Sequence, residues 1–168
     1  LLNLFRDQLD RFGEIDRIQA TIAEALAKTP ETTFVFNGDD PLCAAIADRI
    51  PNKSLAFGIA SDMGLSADRI SDSRFCQKCG GALEYDYVHY GQLGAYRCPD
   101  CGWARPELAF AATNVRLEED GFVFDIDGRS VHTGHTGAYM VYNVLAAYAI
   151  SKLSSIVSFE NYQAAVRE

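Results

Sequence analysis

Cys76, Cys79, Cys98 and Cys101 form two Cys-x-x-Cys pairs with 18 residues between them. A Cys-x-x-Cys turn sets two sulfurs where one ion reaches both, so two such turns complete the tetrahedral ligand set of zinc. The segments Cys76-Gln77-Lys78-Cys79-Gly80-Gly81 and Cys98-Pro99-Asp100-Cys101-Gly102 carry glycine just after the second thiol, where the backbone turns tightly and offers N–H groups to sulfur. Four thiolates leave no open coordination position for water, so the chemistry expected is one structural Zn2+. Two redox pairs are the alternative, but a thioredoxin-type site needs a single Cys-x-x-Cys opening a helix after a strand. His89 lies between the pairs and has no place on a saturated ion; it is expected to be an exposed loop histidine. Cys43 stands alone, and a lone cysteine on a helix is read as a small buried hydrophobe rather than a nucleophile.

These cysteines need a scaffold, and the flanking sequence supplies one. Ile15, Ile18, Ile22 and Leu26 recur at helical spacing, with Glu14 and Asp16 near the start, Lys28 near the end, and Thr29-Pro30 as the stop. Residues 33–36 read as a buried strand turned over by Asn37-Gly38-Asp39. Asp40 then caps a helix that begins at Pro41, with Leu42, Ala45, Ile46 and Ile50 inward and Cys43 on that face or its flank. Residues 55–57 form the next strand, closed by Gly58. Helix, strand, helix, strand implies an α/β fold with a mostly parallel sheet and flanking helices. Between 74 and 106 the chain is rich in Cys, Gly and Tyr and too poor in aliphatic residues for a core of its own, so metal must hold it. Residues 108–117 and 121–126 read as strands joined at Glu119-Asp120-Gly121. Residues 139–153 are too long an apolar run for a strand and read as a mostly buried helix, and a last amphipathic helix starts at Ser158. The expected organisation is 1–73 and 107–168 as two parts of one domain, with 74–106 an inserted four-cysteine zinc ribbon.

Composition agrees with a folded domain: 168 residues, 48% apolar and 23% charged. The net charge of −8 opposes polyanion partners, so no nucleic acid is expected. No apolar run of about 18 residues exists, so no transmembrane segment is expected, and the paired cysteines favour a reducing, cytoplasmic setting. The chain opens Leu1-Leu2-Asn3 without methionine or a signal segment, as expected for the interior of a longer protein.

Three segments, in order, resemble the Mur ligase family. The run Asn3-Leu4-Phe5-Arg6-Asp7-Gln8-Leu9-Asp10-Arg11-Phe12-Gly13-Glu14 is similar to the central-domain signature of Asn, a few residues, then Asp-His-Leu-Asp. Asn37-Gly38-Asp39-Asp40-Pro41 resembles the Asn-x-Asp-Asp turn after a central-domain strand. The run Gly137-Ala138-Tyr139-Met140-Val141-Tyr142-Asn143-Val144-Leu145-Ala146-Ala147 resembles the Gly-x-His-Asn-x-x-Asn-Ala-Leu-Ala-Ala helix. One branch of the family carries a four-cysteine ribbon inside its central domain and Phe-Arg-Asp-Gln-Leu-Asp-Arg at the first motif. The resemblance implies a fragment of the central, ATP-binding domain. It further implies ATP-dependent amidation of the D-glutamate α-carboxylate of lipid II through an acyl phosphate, with ammonia from a GatD-type glutaminase subunit.

Residue by residue, Asn143 matches the asparagine that hydrogen-bonds adenine; as a plain helix residue it would be satisfied by its neighbours. Asp7 and Asp10 either organise the Mg2+-phosphate region or cap the turn before the first helix. Gln8 replaces the magnesium-binding histidine of most members, and an amide offers Mg2+ only an oxygen. No lysine lies between Asp16 and Leu26, where other members carry a carbamylated one. The Walker A loop and the carboxy-terminal domain are absent from these residues, so this piece alone is expected to be inactive. Two rivals stand: another Mur or folylpolyglutamate-type ligase, and a zinc-ribbon binding module stacking bases on Tyr85, Tyr87, Tyr90 and Tyr96. Those tyrosines alternate as strand residues do, which favours packing over the knuckles.

Overall fold

The computed structural model describes residues 1–4, 14–64 and 74–167. Asp7, Gln8 and Asp10 lie outside the described residues, as does most of the first family-like segment. The described elements run α1 (Glu14–Ala27), β1 (Phe34–Asn37), α2 (Pro41–Ala47), β2 (Ser54–Ile59), β3 (Glu84–Tyr90), β4 (Leu93–Arg97), β5 (Leu108–Glu118), β6 (Gly121–Ile126), β7 (Arg129–His132), α3 (Ala138–Ser154) and α4 (Phe159–Arg167).

A five-stranded sheet in the order β1-β2-β5-β6-β7 organises the chain. β1, β2 and β5 are parallel, and β6 and β7 extend the sheet antiparallel. Residues of β1 and most of β2 are buried on both faces, as a sheet covered on two sides requires. Val35, Phe57, Ile59, Phe110 and Phe124 pack against Val141, Leu145 and Tyr148 of α3 and Tyr162 of α4. Phe34, Phe36 and Ala56 face the other way, against Ala44, Ala45 and Ile46 of α2.

That second core also takes in Cys76, Tyr96, Cys98 and Trp103. The four-cysteine segment, which forms the connection from β2 to β5, therefore shares a core with α2 and β1. It does lack an aliphatic core of its own, but metal is not its only support. The Trp103 indole N–H donates to Asp48 Oδ2 at 2.8 Å, and Lys78 Nζ reaches the same oxygen at 3.0 Å. At the tip of the β3–β4 hairpin, Leu93 enters the larger core.

Local chemistry explains the element ends. Asp40 sits in extended conformation, and its side chain accepts the Leu42 N–H ahead of Pro41, the N-terminal position that needs no donor. In α1 the inward stripe is Ile15, Gln19, Ile22 and Leu26; Ile18 is 41% exposed, and the buried Gln19 donates from Nε2 to the Leu42 carbonyl at 2.8 Å. The sequence pattern puts Ile18 on that stripe by a step of three then four from Ile15; a step of four then three puts Gln19 there instead. The strand β7 was not foreseen. It follows Asp127-Gly128, both at positive φ (49° and 71°), the two-residue turn whose backbone twist matches paired antiparallel strands.

Among the described residues, no helix is long and apolar enough to cross a membrane.

Candidate functional site

The sulfurs of Cys76, Cys79, Cys98 and Cys101 all lie within 4.8 Å of one another. Cys76 Sγ is 3.6 Å from Cys101 Sγ, and Cys79 Sγ is 3.5 Å from Cys98 Sγ. Four sulfurs at about 2.3 Å from one tetrahedral ion stand about 3.8 Å apart, so the donor set fits a zinc ion without rearrangement. Each knuckle is shaped by its own backbone. Gly80 N–H donates to the Cys76 carbonyl at 2.9 Å, Gly102 N–H to the Cys98 carbonyl at 3.0 Å, and both glycines hold positive φ. The N–H groups of Lys78 and Gly81 point at Cys76 and Cys79 sulfur, each at 3.4 Å, and so stabilise thiolate. Cys76 and Cys98 are buried while Cys79 and Cys101 are exposed, placing one edge of the cluster at the surface.

A second constellation lies just past the C-terminal ends of β1 and β2, the edge where open α/β sheets bind ligands. Asp39 is fully buried. Its Oδ1 accepts from Arg105 Nη1 at 3.0 Å, and its Oδ2 accepts from Ile59 N–H and the Tyr142 hydroxyl, both at 2.9 Å. Burial pushes the Asp39 carboxyl up to about 6 in spite of these donors. Burial likewise holds the Tyr142 phenol well above its usual range, so it stays a donor. Arg105 Nη1 also donates to the Ile59 carbonyl at 2.9 Å, and its guanidinium lies over the Tyr87 ring, 5.6 Å from the centroid. Next door, Asp40 accepts from Leu4 N–H, Leu42 N–H, Gln92 Nε2 and the Cys43 thiol. Burial raises both Asp40 and Cys43, so Cys43 is a neutral, buried thiol.

His89 corrects an expectation. It is 3% exposed, on β3, and neither ring nitrogen has a hydrogen-bond partner among the described residues. The alternation that orders Tyr85 and Tyr87 continues to His89 and carries it to the same inward face, against Tyr87 at 4.9 Å between ring centroids. Of the four tyrosines offered as a base-stacking surface, Tyr96 is buried between Tyr85 and Trp103, and the Tyr87 hydroxyl donates to the Ile59 carbonyl. Asn143 sits half-buried on α3 with its amide nitrogen 3.4 Å from Met140 sulfur, directly after Tyr142.

The acidic pair Asp39-Asp40 and the arginine that faces it, Arg105, were not singled out by sequence reading as a charge network. The available signal was two consecutive carboxylates next to apolar strand ends, which demand buried partners.

No family model matches the chain. It is 39% identical over 155 residues to the MurT subunit of lipid II isoglutaminyl synthase (glutamine-hydrolysing) of Streptococcus pneumoniae, a match covering 90% of this chain and 34% of that subunit. Against the MurT subunit of Staphylococcus aureus it is 32% identical over 150 residues, covering 88% of this chain and 33% of that one. The fold matches a solved pseudomurein peptide ligase type C from Methanothermus fervidus with a TM-score of 0.75 and 25% identity, over 99% of this chain and 32% of the ligase. The chain thus spans about a third of the length of the relatives it matches.

Proposed function

We propose that this chain, homologous to MurT subunits over nine-tenths of its length, is the nucleotide-binding part of a Mur-type ligase that amidates lipid II. The observation that carries the reading is that the likeness runs through both flanks and the four-cysteine segment together, at 39% identity. In the same reading Cys76, Cys79, Cys98 and Cys101 hold one structural zinc, Asn143 faces adenine, and Asp7 and Asp10 serve the Mg2+-phosphate region. The setting is cytoplasmic, the substrate lipid II, and the partner a GatD-type glutaminase that releases ammonia.

The reaction follows from the chemistry of an unreactive carboxylate. One oxygen of the D-glutamate α-carboxylate attacks the γ-phosphorus of ATP, and ADP leaves. Ammonia then adds to the acyl phosphate carbonyl, and collapse expels inorganic phosphate and a proton to leave the amide. Mg2+, when bound, neutralises charge on the phosphates.

Acceptor competition in the full-length protein with its glutaminase tests the reading. At least a tenfold preference for ammonia over free amino acids supports it. Equal or better use of an amino acid assigns the chain to a peptide-forming or folylpolyglutamate-type ligase.

A further inference from the structure

We infer that Arg105 is a positioning residue through which the four-cysteine segment holds the front half of α3 in place. Arg105 stands four residues after Cys101, on the strand of backbone that leaves the second knuckle. That backbone is fixed on both sides: Cys98 N–H donates to the Trp103 carbonyl at 2.6 Å and Arg105 N–H to the Tyr96 carbonyl at 2.9 Å. The side chain then crosses to Asp39 Oδ1 and the Ile59 carbonyl, ending the turn after β1 and the last residue of β2. The other oxygen of the same carboxylate takes the hydroxyl of Tyr142 on α3. One carboxylate thus joins the knuckle backbone to the helix, through contacts of 3.0 and 2.9 Å.

The energetics make the link two-sided. Asp39 is buried, with Arg105 the one cation paired to it among the described residues, and a buried carboxylate without its partner gives up its charge or its place. Tyr142 is 2% exposed and has no solvent to replace a lost acceptor. Loosening Arg105, directly or by opening the knuckle, therefore loosens Tyr142 and with it Asn143. Its effect on nucleotide binding rests on the reading of α3 given above; the effect on α3 itself does not.

The test uses the full-length protein with its glutaminase partner and four forms: wild type, Arg105→Met, Arg105→Lys, and Arg105→Met combined with Asp39→Asn. Two readouts are followed, hydrogen exchange across 138–149 and the KM and kcat for ATP. Arg105→Met is expected to speed exchange across 138–149 and to raise KM for ATP roughly three- to thirtyfold, more than it lowers kcat. The double variant removes the stranded charge while leaving an acceptor for Tyr142, and recovers most of both losses; Arg105→Lys falls between. Stripping the metal from wild type with a chelator speeds exchange in the same segment, and does so far less in Arg105→Met. An α3 indifferent to Arg105→Met, or a double variant no better than the single, overturns the inference, because an arginine that merely packs is not rescued at Asp39. Should Arg105→Met fail to fold, folding of the double variant supports the link and its equal failure overturns it. An α3 that responds in a protein with no affinity for ATP keeps the link and sinks the nucleotide reading alone.

Discussion

His89→Leu offers a perturbation whose sign depends on pH. Burial, opposed by Asp62 and the Ile59 backbone and reinforced by the nearby Arg105 cation, holds His89 down to about 4 from an ordinary value of 6.5. Between those values the unfolded chain binds a proton that the folded chain refuses, so folding loses stability as pH falls through the window. At about 1.4 kcal/mol per pH unit, the loss attributable to His89 is about 3 kcal/mol. Asp39 acts in the opposite sense. Its folded value is raised to about 6 from 3.8, so the folded chain keeps a proton that the unfolded chain releases. Acidification from about pH 6 to about pH 4 therefore stabilises by about 3 kcal/mol. The two slopes nearly cancel in the wild type, and removing the imidazole exposes the carboxylate's. Urea unfolding at a series of pH values, followed by Trp103, the only tryptophan, reads this out. Both proteins carry the same thiol ligands, so acid loss of metal drops out of their difference. At about pH 7 the variant should be at least as stable as wild type, since two buried nitrogens without hydrogen-bond partners among the described residues are gone. By about pH 4 its advantage should have grown by about 3 kcal/mol. A difference constant to within about 0.5 kcal/mol from about pH 7 to about pH 4 would refute the reasoning, because His89 would then titrate as an exposed imidazole does.

Cys98→Ser should release the metal and speed hydrogen exchange across 74–106; because Cys98 shares a core with Phe34, Phe36 and Ile46, the loss should spread to α2 while β6 and β7 keep their protection. Exchange unchanged by the substitution would mean that metal contributes nothing to this segment. Asp40→Ala should lower the stability of folding by about 2–4 kcal/mol in the same urea assay, because four donors lose one buried acceptor. A change below about 0.5 kcal/mol would show that solvent reaches those donors.

Much of this architecture was legible in the residues because local chemistry and burial agree there. Thr33-Phe34-Val35-Phe36 reads as a strand since its faces are apolar, and Phe34, Val35 and Phe36 are covered on both faces, while Thr33 stays exposed just ahead of β1. Asp40-Pro41 reads as a helix start since a capping carboxylate and an N-terminal proline satisfy the same helix end. Glu119-Asp120-Gly121 joins β5 to β6 where the turn chemistry put it. Features that depend on which elements meet were harder to read. The segment 74–106 looks coreless by composition, and only the tertiary arrangement reveals that Trp103 and Tyr96 use the core of α2. His89 is polar and flanked by tyrosines, and its burial follows from the pleat rather than from its own chemistry. Asp39 is separated from Arg105 by 66 residues and from Tyr142 by 103, so no spacing rule connects them. The short β7 was missed although Asp127-Gly128 is a strong short hairpin signal.

Oxygen transfer tests the central claim most directly. Lipid II bearing 18O in the D-glutamate α-carboxylate is turned over by the full-length ligase with its glutaminase, ATP and glutamine, and the phosphate and amide are analysed by mass. One labelled oxygen in inorganic phosphate for each amide formed is the result predicted for attack of that carboxylate on the γ-phosphorus. Label appearing in AMP, or amide formed with no labelled oxygen in the phosphate, would contradict it.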